Sequence, residues 1–299
     1  MTGDRVPARV HLVDGTYELF RAHYAPRPGH RDPSGRDAKA TTGVVSSLLA
    51  LLHDTDEAVT HLAVAFDNPI RSFRNDLFAD YKSDEGVPPE LRDQFDAVED
   101  AVRALGVVVW SMREHEADDG LASGARLYAG AVDQVRILTP DKDLAQCLRG
   151  NRVVQVDRRQ KKVTNEASFR AARGFGPASV PDFLALTGDT ADGIPGLPGF
   201  GEKSAALVLG AYGHLEAIPA LPFQWSVKVR GALQLGATLA ERRDDALFYR
   251  RLATLIDTVP LAESLDDLEF RGVPRARFEA WCDAVGVSTL KTAPKRWAP

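Results

Sequence analysis

The sequence predicts an α/β protein, with a mixed, mostly parallel sheet flanked by helices and a helical subdomain at the C-terminal end. Short apolar runs rich in β-branched residues alternate with helix-period segments in the first half of the chain. Beyond about residue 177 the helical patterns dominate. The length of 299 residues, with 44% hydrophobic and 26% charged side chains, is typical of globular proteins. We therefore place one domain over residues 1–176 and a second over 177–299.

The strands of the first domain are predicted from four apolar runs that each close on a polar or turn residue. Runs of this length are typical of buried parallel strands. They are ARVHLVD to Asp14, THLAVAFD to Asp67, GVVVW to Trp110 and QVRILTPD to Asp141. The helix-period segments between them cover residues 15–24, 41–52, 89–105 and 117–128.

Later segments carry different signals. Residues 151–164 are predicted to form a polar hairpin, and Gly and Pro cluster between residues 193 and 201. Residues 227–247 indicate one or two helices, and a further short helix is expected beyond Gly272. Between residues 149 and 173 the chain carries eight Lys or Arg against two acids. Such a run is ordinarily a solvated surface, and beside an anion-binding cleft it would instead follow a phosphate backbone.

Composition excludes several classes of protein. Two distant cysteines, Cys147 and Cys282, do not form a disulfide framework or a thiolate zinc site. No apolar run approaches the ~20 residues that cross a bilayer, so we expect a soluble cytoplasmic protein with no membrane partner. The formal net charge of −5 by itself disfavours nucleic acid as a partner.

Acidic residues end or follow several of the predicted strands. Because the carboxyl ends of parallel strands meet at one edge of a sheet, we expect these acids to converge. EADD adds acids at the start of a helix, and GDTADG places two acids three residues apart. The nine acids are Asp14, Asp67, Glu116, Asp118, Asp119, Asp141, Asp143, Asp189 and Asp192.

Nine carboxylates in one cleft repel one another, so the pattern predicts bound cations. All-oxygen ligands favour Mg²⁺ or Mn²⁺, and the seven histidines show no zinc-like spacing. Two such ions about 4 Å apart can hydrolyse a phosphodiester. Without the nine acids the formal charge becomes +4. The structural alternative for any single member is a helix cap or a charge that complements a helix dipole.

Several motifs together resemble the bacterial and phage 5′-nuclease family, which includes flap endonucleases and the N-terminal nuclease domain of bacterial DNA polymerase I. The motifs are LVDGT with Phe20 and Arg21, AFD with SFR and YK, HEADD, ILTPDKD and LTGDTADGIPGLPGFGEKSA. The resemblance implies a PIN-like sheet, a helical arch near residues 81–105 and a helix-hairpin-helix element near 186–218. No polymerase segment follows, so we expect a stand-alone member.

The resemblance also implies roles for individual residues. The nine acids match the family's metal ligands for two or more Mg²⁺ or Mn²⁺ ions. Lys82 matches the lysine that holds the scissile phosphate, and Tyr81 matches an aromatic residue on which a terminal base stacks. Arg21 and Arg74 match positions near the cleft and are expected to contact phosphates, with a surface salt bridge as the alternative for Arg74.

The segment GLPGFGEKS is predicted to bind a DNA phosphate through its backbone. It nearly spells a P-loop, but Glu202 separates Gly201 from Lys203, so a helix-hairpin-helix is the better interpretation. Gly199 and Gly201 would allow a tight turn, while Lys203 and Ser204 would add phosphate contacts. A solvent-facing helix start is the alternative. By resemblance this hairpin also implies a K⁺ site.

The sequence therefore predicts a monomeric, metal-dependent 5′-3′ exonuclease or flap endonuclease. Its substrate is DNA with a 5′ end, a flap or a branched junction, and a DNA polymerase or a sliding clamp is the protein partner that such an enzyme would meet. One alternative is a DNA-binding protein of the same fold with little cleavage, because Glu85 stands where many members have arginine and residues 81–97 are acidic. A phosphatase with an aspartyl nucleophile is disfavoured, since it needs an acid at Thr16.

Overall fold

A computed structural model describes residues 8–299. The strands are β1 Arg9–Asp14, β2 His61–Asp67, β3 Val108–Met112, β4 Gln134–Leu138, β5 Val153–Asp157 and β6 Lys162–Thr164. The helices are α1 Gly15–Tyr24, α2 Lys39–Leu52, α3 Arg74–Leu77, α4 Pro89–Arg92, α5 Phe95–Ala104, α6 Ala117–Tyr128, α7 Glu166–Arg173, α8 Val180–Thr187, α9 Glu202–Tyr212, α10 Ala232–Glu241, α11 Arg243–Ala253 and α12 Arg275–Val285. A 3-10 helix covers Lys142–Cys147.

These residues fall into two compact units. The first unit contains the described residues up to Ser72, together with Asp84–Thr139 and Asp257–Pro299. The second unit contains Phe73–Ser83 and Pro140–Ile256. The predicted boundary between residues 176 and 177 stays a prediction.

The first unit is built on four parallel strands in the order β3-β2-β1-β4. Strands β1 and β2 are buried over nearly their whole length, because helices cover the sheet and both faces of each strand need apolar side chains. Helix α6 packs on β1 and β2, and α5 packs on β3. Asp14 lies opposite Ala65 in the register of β1 and β2, so these strands end at the same edge of the sheet.

The second unit combines the antiparallel pair β5–β6 with helices α7 to α11. The predicted hairpin over residues 151–164 is therefore confirmed. The core of this unit contains Phe175 and Phe183, whose rings stack 4.9 Å apart, and helices α8 and α11 pack along it. The parallel strands of the first unit and this hairpin confirm a mixed, mostly parallel α/β fold.

The predicted helix over residues 89–105 is interrupted, and α4 and α5 share it. Gln94 lies at the interruption and is 1% exposed. Its side-chain oxygen accepts from the backbone N–H of Thr41 (3.0 Å), and its nitrogen donates to Asp37 Oδ1 (3.0 Å). This buried side chain joins the break to the N-terminal end of α2, a tertiary contact that periodicity alone did not predict.

The run predicted to reach Asp141 as a strand ends at Leu138 instead. Pro140 has no backbone N–H and cannot continue the ladder. Asp141 caps the 3-10 helix, its Oδ1 accepting from the N–H of Asp143 at 2.9 Å. In the helices of residues 8–299, none has the combination of length and apolar composition needed to cross a lipid bilayer.

Candidate metal centre and nucleic-acid interface

Two aspartates of the first unit lie at the ends of neighbouring parallel strands. Asp14 Oδ1 accepts from the N–H of Tyr17 at 2.8 Å, and its Oδ2 accepts from the Thr139 hydroxyl at 2.9 Å. Asp67 Oδ1 accepts from the N–H of Ala117, the first residue of α6, at 2.7 Å. Both side chains are buried, at 6% and 7% exposure. These hydrogen bonds join β1 to the residue after β4, and β2 to α6, at one edge of the sheet.

The first turn of α6 adds further carboxylates to the same unit. Glu116 caps the helix, and its Oε1 accepts from the Ser72 hydroxyl at 2.7 Å. Asp119, which is fully buried, accepts from the N–H of Glu116 at 3.1 Å. Asp118 is partly exposed. The capping interpretation is therefore correct for Asp14 and Glu116, and it does not remove their oxygens from metal binding, since each carboxylate has about four lone-pair sites.

The second unit contains a tight group of carboxylates. Asp143, Asp189 and Asp192 each offer an oxygen, and these three oxygens lie within 4.8 Å of one another. Asp143 comes from the 3-10 helix, whereas Asp189 and Asp192 come from the loop after α8. Asp141 adjoins the group through its hydrogen bond to the Asp143 N–H. We call the four residues Asp141, Asp143, Asp189 and Asp192 the second-unit acid cluster.

Asp143 is the least satisfied member of this cluster. It is 6% exposed, and within residues 8–299 its Oδ1 is buried with no hydrogen-bond partner. Burial raises the pKa of Asp143 well above its usual range, and the charges of Asp141, Asp192 and Asp189 raise it further. A buried oxygen without a donor, facing other carboxylates, fits a bound cation, and an all-oxygen set fits Mg²⁺ or Mn²⁺.

Lys142 and Lys82 contact members of the cluster. Lys142 Nζ lies 2.8 Å from Asp189 Oδ2, and Lys82 Nζ lies 3.8 Å from Asp192 Oδ1. Partial burial lowers the pKa of Lys142, but its bond to Asp189 outweighs this, and the net direction is upward. Lys82 was predicted from its motif, whereas Lys142 was not. Lys142 stands between the predicted ligands Asp141 and Asp143 in the sequence DKD, and this position could have identified it.

The segment that carries Lys82 is held against the loop that carries Asp192. The N–H of Lys82 donates to the carbonyl of Asp192 at 3.2 Å. The next residue, Gly193, has φ +73°, and a Cβ there would lie 2.1 Å from the carbonyl oxygen of Asp80. Only glycine allows this approach, so the Gly193 backbone sets the distance between Lys82 and the cluster.

Tyr81, predicted to stack on a terminal base, is a core residue rather than an exposed ring. Tyr81 is 4% exposed and belongs to the core of the second unit. Its hydroxyl donates to Asp192 Oδ2 at 3.4 Å. Stacking on a base needs an open ring face, which a core residue lacks. Tyr81 therefore holds Asp192 by a hydrogen bond and does not expose a ring face for a base.

Arg74, predicted to contact a phosphate or alternatively to form a surface salt bridge, lies in the interior of the second unit. Arg74 is 1% exposed. Its guanidinium donates to the carbonyls of Leu252 (2.8 Å) and Thr254 (3.0 Å). These bonds satisfy the carbonyls at the end of α11, a distant partner that no local sequence pattern predicts.

Arg21, predicted to act near the cleft, is partly exposed on α1. It forms an ion pair with Glu18 and donates to the hydroxyl of Ser47 at 2.9 Å. These contacts leave its predicted phosphate contact a prediction.

Helices α8 and α9 with the loop between them form the helix-hairpin-helix. Gly199 has φ +86°, which favours glycine, so this part of the turn prediction is confirmed. Gly201 has φ −118° with nothing within 4 Å of its Cβ position, so the turn does not require it. The hydroxyl of Ser204 accepts from the N–H of Gly201 at 3.0 Å and caps α9, while Lys203 is exposed.

Comparisons with known proteins agree with this architecture. The family model for the 5′-3′ exonuclease N-terminal, resolvase-like domain matches residues 9–174, and the model for the 5′-3′ exonuclease C-terminal SAM fold matches residues 175–276. The chain belongs to the 5′-3′ exonuclease family, a family of nucleases.

Among curated proteins, the chain is 36% identical over 273 residues to the DNA polymerase I of Pseudomonas aeruginosa, covering 88% of this chain and 29% of that protein. It is 31% identical over 294 residues to the DNA polymerase I of Mycobacterium leprae, covering 96% and 31%. The chain thus spans about three tenths of the length of these relatives.

Solved structures give the same fold at low identity. The 5′-exonuclease of bacteriophage T5 with bound zinc matches at a TM-score of 0.65 and 16% identity, covering 93% of this chain and 99% of that chain. The T5 flap endonuclease in a pseudo-enzyme-product complex with DNA and metal ions matches at 0.61 and 18%, covering 84% and 89%.

Proposed function

We propose that this chain hydrolyses DNA phosphodiesters at or near a free 5′ end or a 5′ flap, with two or more Mg²⁺ or Mn²⁺ ions held by the nine acids. The observation that carries the proposal is the second-unit acid cluster. Three of its oxygens lie within 4.8 Å of one another, and one buried Asp143 oxygen accepts no hydrogen bond within residues 8–299. Membership of the 5′-3′ exonuclease family supports the reaction class.

Both units contribute acidic residues that would hold the ions. Asp14, Asp67, Glu116 and Asp119 are buried in the first unit, and Asp118 is partly exposed beside them. That both groups act on one phosphodiester rests on the sequence alone. When bound, divalent ions activate water and neutralise developing charge on phosphate oxygens. T5 relatives whose structures contain zinc, or DNA with metal ions, are consistent with such a centre.

The chain's own residues position the substrate. Lys82 is held beside Asp192 by its backbone bond and by Gly193, so its ammonium group is pre-positioned at the acid cluster. There it would bind a non-bridging oxygen of the scissile phosphate and stabilise charge that grows in the transition state. Holding it in place beforehand avoids the cost of ordering a flexible side chain during the reaction.

The helix-hairpin-helix would anchor duplex DNA through its backbone. The first turn of α9 offers N–H groups, and the open space around Gly201 leaves room for a phosphate to approach them. Lys203 adds an exposed positive charge. Contacts of this kind do not depend on base sequence, which suits an enzyme that recognises the shape of a DNA end. The K⁺ site here and a polymerase or clamp partner remain predictions of the sequence.

The test is cleavage of a 5′-labelled flap duplex in Mg²⁺ and in Mn²⁺, beside DNA binding in Ca²⁺. We expect product that increases with added metal, and short labelled fragments from the flap. Lys82→Ala should lower the single-turnover rate by at least tenfold, because removing a transition-state contact typically costs 10²–10³. Tight binding in Ca²⁺ with no product in either active metal would instead indicate a DNA-binding protein that does not cleave.

A further inference from the structure

Lys142 lies inside the second-unit acid cluster, between two of its members in the sequence. Its Nζ is 2.8 Å from Asp189 Oδ2, and its side chain is 54% exposed whereas that of Asp189 is 7% exposed. The buried Asp189 carboxylate is therefore paired with a lysine whose side chain is largely exposed to solvent. The 3-10 helix that carries Lys142 is capped by Asp141, so Lys142 is not needed as a cap of that helix.

The two oxygens of Asp189 have different partners. Its Oδ1 accepts from the N–H of Ala191 at 2.9 Å, which fixes the carboxylate within its loop. Its Oδ2 is the atom that Lys142 contacts. Oδ2 is therefore the Asp189 oxygen without a backbone donor, and a divalent ion that binds through it would compete with the Lys142 ammonium group.

Charge explains why a lysine is useful at this position. The cluster carries four carboxylates, and like charges this close destabilise one another when no cation is present. Lys82 contacts Asp192 and Lys142 contacts Asp189, so each of these two carboxylates has a lysine partner. A lysine stem is flexible, and its head can return to water at little cost when a divalent ion takes its place.

We propose that Lys142 is a built-in counterion that holds Asp189 in position before metal binds and is displaced when a divalent ion enters. Lys142 is thus a positioning residue, and the inference rests on the proposed metal centre. Its presence weakens metal affinity, because each ion must replace an existing charge pair. Before metal binds, it offsets the repulsion between Asp189 and the neighbouring carboxylates.

The experiment measures Mn²⁺ binding to the full chain without DNA, by titration with electron paramagnetic resonance of free Mn²⁺. The variants are Lys142→Gln, which removes the charge, and Lys142→Arg, which keeps it. The control is Lys162→Gln, an equal loss of charge at an exposed position of β6 in the same unit. The melting temperature of each variant is recorded with and without Mn²⁺.

We expect Lys142→Gln to bind Mn²⁺ roughly three- to tenfold more tightly, the effect of removing one unit charge several ångströms from the ion in a partly screened site. Its metal-free melting temperature should fall, and its rise on adding Mn²⁺ should exceed that of the wild type. Lys142→Arg and Lys162→Gln should bind Mn²⁺ within about twofold of the wild type.

Unchanged or weaker Mn²⁺ binding by Lys142→Gln, with a wild type that binds normally, would overturn this inference and leave the proposed nuclease intact. The same holds if Lys142→Gln weakens DNA binding in Ca²⁺ without changing Mn²⁺ affinity, because Lys142 would then serve the DNA. A wild type that binds no Mn²⁺ would overturn both the inference and the proposed metal centre.

Discussion

Asp143 combines burial with an oxygen that accepts no hydrogen bond within residues 8–299. Such a carboxylate costs stability unless something positive joins it, and Lys142 bonds to Asp189 rather than to Asp143. Residues that are costly for folding and lie beside like charges are characteristic of functional sites. We therefore propose that Asp143 binds metal rather than supporting the fold.

This assignment predicts that Asp143→Asn raises the stability of the metal-free protein while abolishing cleavage. The amide has nearly the same shape, and it removes a charge that its neighbours repel, so we expect about 1 kcal/mol of added stability at pH 7. Urea unfolding in a chelator measures the change. Asp100→Asn, on the exposed face of α5, serves as the control and should change stability by less than about 0.5 kcal/mol.

A loss of stability in Asp143→Asn would contradict this assignment, since it would mean that the carboxylate supports the fold. Retained cleavage in Mg²⁺ would contradict it from the functional side.

At the scale of elements, the loop after α8 positions the acid cluster through its backbone. Asp189 and Ile194 exchange two N–H to carbonyl hydrogen bonds, each 2.8 Å, which close the loop on itself. Gly193 then approaches the Asp80 carbonyl too closely for any side chain. The geometry of Asp192 and Lys82 thus depends on a residue that has no functional group.

Gly193→Ala should therefore reduce both stability and cleavage. The added methyl group meets the Asp80 carbonyl at a φ of +73° that L-residues rarely adopt, so we expect a loss of at least about 2 kcal/mol. Gly29→Ala is the control, with open space at its Cβ position and no positive φ. Thermal unfolding and the flap assay measure the two effects, and a variant as stable and active as wild type would show that the loop adapts freely.

A second element-scale feature lies in the sheet of the first unit. Glu57 accepts two hydrogen bonds from Arg136, of 2.7 and 2.9 Å, and one from His11 Nε2 at 3.0 Å. Burial raises the pKa of Glu57, but His11 and Arg136 outweigh it and lower the pKa to about 2. Burial also lowers the pKa of His11 below its ordinary value, with Glu57 opposing.

The folded pKa of Glu57 lies below its unfolded value of 4.5, so the ionised carboxylate stabilises the protein above pH 4.5, and this contribution is lost as pH falls towards about 2. His11 acts in the same direction, since its neutral form is favoured by the fold. We expect Glu57→Gln to lower stability at pH 7 by on the order of 3 kcal/mol and to flatten the loss of stability between pH 4.5 and 2. Urea unfolding as a function of pH measures it, and an unchanged acid limb would contradict the proposed pair.

At the scale of the whole molecule, the sequence predicted the limits of secondary-structure elements better than the tertiary contacts of individual side chains. The limits of α1 and α6 were predicted without error, because their periodicity and acidic starts are local signals. Arg74 and Tyr81 were predicted to contact DNA, but both are buried. The sequence did not indicate this because their hydrogen-bond partners lie more than 100 residues away along the chain. Burial of a polar side chain depends on tertiary packing that local pattern does not contain.

In the candidate site, too, local patterns identified residues but not their contacts in three dimensions. Asp14 and Asp67 were predicted from strand ends, and the topology of parallel strands places them at one edge of the first unit's sheet. Asp143, Asp189 and Asp192 were predicted as ligands, and their closeness appears only in three dimensions. Lys142 was missed because a positive residue between two acids is usually a solvated surface charge.

The most direct measurement is anomalous diffraction at the manganese edge from crystals of the protein soaked in Mn²⁺. We predict a strong peak within bonding distance of carboxylate oxygens from Asp143, Asp189 and Asp192, and its loss in Asp143→Asn. Crystals that diffract well and bind Mn²⁺ elsewhere, with no anomalous peak among these three side chains, would contradict the assignment of a metal centre to this cluster.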